Sequence, residues 1–73
     1  MAKLPSKSFR DIIKAFKRLG WTEARQSSSH IVLVREGHQA SLSVPAHDPV
    51  AKGTLRSLIR SAGLTVEDFV DAL

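Results

Sequence analysis

Apolar residues recur at Phe9, Ile12, Ile13, Phe16 and Leu19, the i, i+3, i+4, i+7 and i+10 spacing that lines one face of a helix. Ser8 stands where an N-cap belongs, and Asp11 three residues on resembles a capping box with Asp in the usual Glu position. Gly20 supplies a left-handed stop, and Trp21 is placed to fold back on the last turn. The opposite face carries Arg10, Lys14, Lys17 and Arg18. The spacing predicts a helix that is apolar inside and basic outside.

Beyond Trp21 the period changes. Residues 22–26 are a strand candidate, followed by the polar run Ser27, Ser28 and Ser29. Residues 30–35 are β-branched and apolar, the composition of a buried strand, in which His30 shares parity with Val32 and Val34 while Ile31 and Leu33 point the other way. Glu36-Gly37 reads as a hairpin turn, with His38 just beyond it and expected to be exposed. Residues 39–44 alternate, with Ala40, Leu42 and Val44 on one face and Ser41 and Ser43 on the other, and Pro45 is expected to end the strand by removing a ladder donor. Residues 45–53 hold two prolines and a glycine and read as a loop. Leu55, Leu58, Ile59 and Ala62 restore helical spacing up to Gly63, and Thr65 with Asp68 resembles a second capping box that opens a short last helix through Val66, Phe69, Val70 and Leu73. The order α-β-β-β-α, with a short extra C-terminal helix, predicts an α+β sandwich. Its three-stranded antiparallel sheet carries helices on one face and leaves the other face available.

The length of 73 residues, 42% of them hydrophobic and 25% charged, bounds this to one small folded domain over residues 1–73. There is no cysteine, which removes disulfides, thiolate metal sites and cysteine nucleophiles and fits a reducing compartment. The longest apolar run, residues 31–34, is far short of the roughly 20 residues of a membrane span. Nor does the N-terminal stretch hold an apolar segment of signal-peptide type, so the expectation is a soluble, cytoplasmic protein with no membrane partner.

Charge changes the picture more than composition does. Residues 1–35 carry eight Lys and Arg against two Asp and Glu, a net +6, whereas residues 36–73 carry three against five, a net −2. A basic half of this kind fits a polyanionic partner, with RNA, DNA and an acidic protein all open, beside the plainer reading of a solvated basic face. The three histidines are the side chains whose unperturbed titration lies near neutrality. Their spacing (30, 38, 47) matches no zinc-ligand pattern, so no metal and no cofactor are expected. Phosphate-loop, GxGxxG and GxSxG signatures are also missing. Taken by itself, a histidine at a strand start such as His30 is more often structural than catalytic.

Taken together, the helix, Leu19-Gly20-Trp21, the run Arg25-Gln26-Ser27-Ser28-Ser29-His30 before a strand, Val44-Pro45-Ala46-His47 and Gly53-Thr54-Leu55-Arg56-Ser57 resemble the HicA (YcfA-like) toxins. The resemblance runs from Ser8 to about Phe69 and rests on the order and spacing of these segments. It implies a double-stranded-RNA-binding-domain-like fold, an mRNA interferase activity within a type II toxin-antitoxin system, and a HicB-like antitoxin as partner. The family signature Gly-Ser-His maps to Ser28-Ser29-His30, which makes His30 the implied catalytic residue. Serine stands at 28 where the family has glycine; if that position required positive φ, the loop would be strained.

Under that resemblance the chemistry is direct. RNA carries its own nucleophile, the 2′-OH, so a neutral imidazole at His30 serves as general base without a metal or an enzyme nucleophile. Arg25, Arg35 and Lys52 are the candidate electrostatic partners of the phosphate, and His47 is a candidate general acid. Ser28 and Ser29 are expected to orient backbone or phosphate, and Lys14, Lys17 and Arg18 to dock RNA. A non-catalytic double-stranded-RNA-binding module, recognising shape, 2′-OH and phosphate, is the alternative.

Overall fold

The computed structural model describes residues 4–73; Met1, Ala2 and Lys3, the last counted in the basic half, lie outside it. The first helix, α1 (Phe9–Arg18), begins where the spacing predicts. Ser8 Oγ accepts from Asp11 N at 3.3 Å. The N-terminus is also held from far along the chain, because Phe9 N–H donates to Asp48 Oδ1 at 2.9 Å. At the other end Gly20 takes φ 98°, and Trp21 N–H returns to Phe16 O at 3.0 Å. This swings the indole into the core edge-on to Phe16, with ring centroids 6.4 Å apart.

Three strands follow, β1 (Thr22–Gln26), β2 (His30–Val34) and β3 (Leu42–Pro45), antiparallel and in the spatial order β1-β2-β3. The β2 alternation is as its residue pattern predicts: Ile31 and Leu33 are buried, whereas His30 and Val34 are exposed. In β1 the alternation is broken. Thr22 pairs with Val34 and Glu23 with Leu33, but Arg25 pairs with Val32 and Gln26 with Ile31, so Ala24 is the extra residue of a β-bulge. Cross-strand partners share a face. The bulge therefore turns Arg25 onto the face of His30 and Val32, and sends Gln26 with Glu23 to the helix side.

The third strand departs from expectation. It starts at Leu42 rather than at residue 39, and Ala40 is exposed. The reason is His38. Its ring, half-buried rather than exposed, packs on Trp21 at 4.9 Å, and its Nε2 lies 2.9 Å from Ser61 O. The chain is thereby drawn off the sheet edge before it returns to pair. Pro45 belongs to the strand, opposite His30. Ala46 N–H donates to Ser29 O at 2.8 Å, so Pro45 occupies the alternate, non-hydrogen-bonded position and costs the ladder no donor.

The helix α2 (Lys52–Ser61) opens two residues earlier than expected, with Lys52 and Gly53 in its first turn and Ala51 as a cap without a side-chain bond. Gly63 closes it at φ 73°. The Thr65–Asp68 capping box is complete, with both bonds at 3.1 Å, and opens α3 (Val66–Ala72). Ile31, Leu33, Leu42 and Val44 from the sheet meet Ile12, Phe16, Leu55, Ile59 and Phe69 from the helices, and among the described residues no polar or charged one is buried. The result is an α+β sandwich of the double-stranded-RNA-binding-domain type. The helices cover one sheet face, and His30, Val32, Val34, Arg25, Ser43 and Pro45 lie on the other.

Candidate functional site

His30 is the first residue of β2 and is reached through a turn made of serines. Ser27 and His30 close the hairpin, with Ser27 N–H donating to His30 O at 2.8 Å. The primed turns that usually close two-residue hairpins need positive φ at a central residue. Among the described residues only glycines have positive φ, so Ser28 and Ser29 both lie in ordinary backbone. Serine at 28, where the resemblance implies glycine, therefore brings no left-handed strain. The second closing bond is made by a side chain: His30 N–H donates to Ser27 Oγ at 3.1 Å, and Ser27 Oγ lies 3.2 Å from His30 O. Ser29 Oγ sits 3.1 Å from His30 Nδ1. The histidine is thus held at its backbone by Ser27 and at its ring by Ser29, with the imidazole exposed on the open face.

The register brings other groups to this end of the sheet. Arg25 pairs with Val32 and is diagonal to His30 on the same face. Pro45 faces His30, so His47, exposed, follows two residues beyond the position opposite the imidazole. The same loop carries Asp48 to the α1 N-terminus and then leads into Lys52 at the start of α2. The amino ends of α1 and α2 are consequently tied to the loop that leaves the sheet beside His30. Their dipoles are positive at those ends, and no acidic residue stands in the first turn of α2.

Arg35 is not part of this group. It lies five residues along the chain from His30, roughly 16 Å at strand spacing. There its guanidinium covers Gly20, where a Cβ would come 3.3 Å from Arg35 Nε. The first-helix cations are also separate from the imidazole. Lys14 and Lys17 line a groove of about 330 Å³ between α1 and β1, on the helix side of the sheet, with Ile13 and Ile31. Lys17 Nζ is paired with Glu23 Oε2 at 2.9 Å. Arg18 Nη1 donates to Ala72 O at 2.7 Å, fastening α1 to the end of α3. Lys17 and Arg18, expected to dock RNA, thus have intramolecular partners supplied by β1 and α3.

The residue that sequence reasoning passed over is Ser27. Its signal was available only jointly with pairing: the first serine of the run becomes the closing partner of His30 once β1 and β2 are in register. Among the described residues no group of three or more His, Asp or Glu side chains comes together.

The ordinary backbone at Ser28 carries a prediction. Ser28→Gly gains nothing from φ relief and enlarges the unfolded ensemble, so it is expected to cost about 0.4–1 kcal/mol in urea unfolding.

No curated protein sequence matches the chain. The family model of the HicA toxin of bacterial toxin-antitoxin matches residues 9–64, from the first residue of α1 to just past Gly63, and so includes the sheet, the serine turn, His30 and α2. That span is well over half of the 73 residues, and the chain belongs to the HicA toxin family.

Proposed function

We propose that this toxin is a metal-independent endoribonuclease that cleaves mRNA in the cytoplasm, inhibits translation and growth, and is neutralised by a HicB-like antitoxin. The observation that carries the reading is the exposed imidazole of His30, anchored at Nδ1 by Ser29 Oγ on a sheet face that also presents Arg25. In the tautomer whose Nδ1–H donates to Ser29 Oγ, Nε2 keeps the lone pair required of a general base.

The reaction balances without an enzyme nucleophile. His30 Nε2 takes the 2′-OH proton while the 2′-oxygen forms a bond to the adjacent phosphorus. The bond from phosphorus to the 5′-oxygen breaks, and that oxygen receives a proton from a general acid, for which His47 is the candidate. Arg25 and Lys52 stabilise charge on the non-bridging oxygens. The products are a 2′,3′-cyclic phosphate, or the 3′-phosphate after hydrolysis, and a 5′-hydroxyl. Ser29 acts as orienter, since the RNA supplies its own nucleophile in the 2′-OH.

The test is incubation of a structured mRNA with the protein in excess EDTA, followed by analysis of the ends. Cyclic or 3′-phosphate ends are expected, and a deoxyribose at the cut should abolish cleavage. Products with 5′-phosphate overturn the mechanism. Binding without any cleavage overturns the enzyme reading in favour of a double-stranded-RNA-binding module.

A further inference from the structure

We infer that Ser27 is a positioning residue for His30: its hydroxyl clamps the His30 backbone, and through that clamp aims the imidazole and holds it against Ser29. The inference rests on the ribonuclease reading for its functional consequence and on the turn geometry for its physical content.

A hairpin closed by two residues ordinarily bonds its terminal pair through both backbone amides. Here Ser27 N–H reaches His30 O at 2.8 Å, but the reciprocal donor, His30 N–H, goes to Ser27 Oγ at 3.1 Å. The same hydroxyl lies 3.2 Å from His30 O, so one oxygen accepts from the N–H and donates to the carbonyl of a single residue. Both polar backbone groups of His30 on the turn side are therefore tied to Ser27. This closure goes with the ordinary backbone of Ser28 and Ser29. A turn without positive φ does not match the twist of the strands it joins, and the side-chain oxygen fills the place that a backbone carbonyl would otherwise take. On the other flank Ala46 N–H holds Ser29 O at 2.8 Å. With the backbone fixed on both sides, Ser29 Oγ meets Nδ1 at 3.1 Å, and the contact orients the ring whichever of the two carries the shared proton.

Ser27 touches no reacting atom. Its removal leaves the imidazole present and exposed but its backbone unclamped, which lowers the fraction of molecules with the ring held against Ser29 and aimed. A misplacement of about 1 Å at a reacting group is worth up to roughly 100-fold in rate.

The test compares wild type, Ser27→Ala and Ser27→Thr by single-turnover RNA cleavage, RNA affinity, thermal melting, and ¹⁵N NMR of the His30 ring in the free protein. For Ser27→Ala the expected result is cleavage about 10- to 100-fold slower with unchanged RNA affinity. Its ring nitrogen shifts should move away from the wild-type values as the contact with Ser29 Oγ loosens. Ser27→Thr, which keeps the hydroxyl, should restore both rate and spectrum. A Ser27→Ala ring spectrum identical to wild type overturns the clamp, whether or not RNA is cut. Slowing that tracks lost melting temperature, and that Ser27→Thr fails to reverse, overturns it in favour of a structural role alone. A wild type that does not cleave, with ring spectra that still change as described, overturns the ribonuclease reading and leaves the clamp supported.

Discussion

Replacing His30 by alanine is expected to lower single-turnover RNA cleavage by about 10²–10⁴-fold, the usual worth of a general base, with RNA affinity and melting temperature close to wild type. The separation of these effects follows from the local structure. His30 is exposed at the start of β2, so truncation opens no cavity in the core. Its hydrogen bonds to Ser27 run through the backbone N–H and C=O, which alanine retains. What disappears is the ring and its contact with Ser29 Oγ. Gel-based cleavage, a binding isotherm and a thermal melt on the same preparations decide the matter. Retained cleavage removes His30 from the mechanism, and a parallel loss of affinity moves it from catalysis to binding.

The second large effect is expected in the core. Phe69→Ala should destabilise the protein by about 3–5 kcal/mol, the range for deletion of a fully buried aromatic ring. Phe69 is the buried residue of α3, wholly inaccessible and 4.9 Å from the Phe16 ring. A chain of 73 residues has a total stability of about 4–11 kcal/mol, so this one ring is a large fraction of it. The melting temperature should fall by about 12 °C or more. The family match ends at residue 64, before α3 begins, yet α3 is joined to α1 by Phe69 against Phe16 and by Arg18 to Ala72 O. A melting shift of only a few degrees would make α3 an ornament on an otherwise sufficient core.

Legibility in the sequence followed the range of the interaction concerned. The α1 face, the Gly20 stop, the Thr65–Asp68 box and the parity of β2 are all set by residues within a turn or two of each other. Each was readable from spacing. The departures have long-range causes. Asp48 caps a helix 39 residues away. His38 leaves the hairpin because Trp21 and Ser61 hold its ring, and the third strand starts late as a consequence. Lys17 and Arg18 look like a uniform basic stripe until Glu23 and Ala72 take them as partners.

The candidate site divides in the same way. His30 and the flanking serines stood out from chain order and from the family resemblance. Which of the cations share its face did not, because a single inserted residue decides it. The bulge at Ala24 reverses the alternation of β1 and turns Arg25 toward His30, while Arg35, equally plausible in the linear chain, stays at the far end of β2 over Gly20.

By itself, then, the sequence determined the order of the elements and the buried faces of α1, β2 and the C-terminal helices, because periodicity and capping are local. The tertiary structure alone decided the register of β1 on β2, the partners of Lys17, Arg18 and Asp48, and the clamp of Ser27 on His30. Those depend on which strands and helices meet, and hydrogen bonds and charge pairs across the fold leave no periodic trace in the chain.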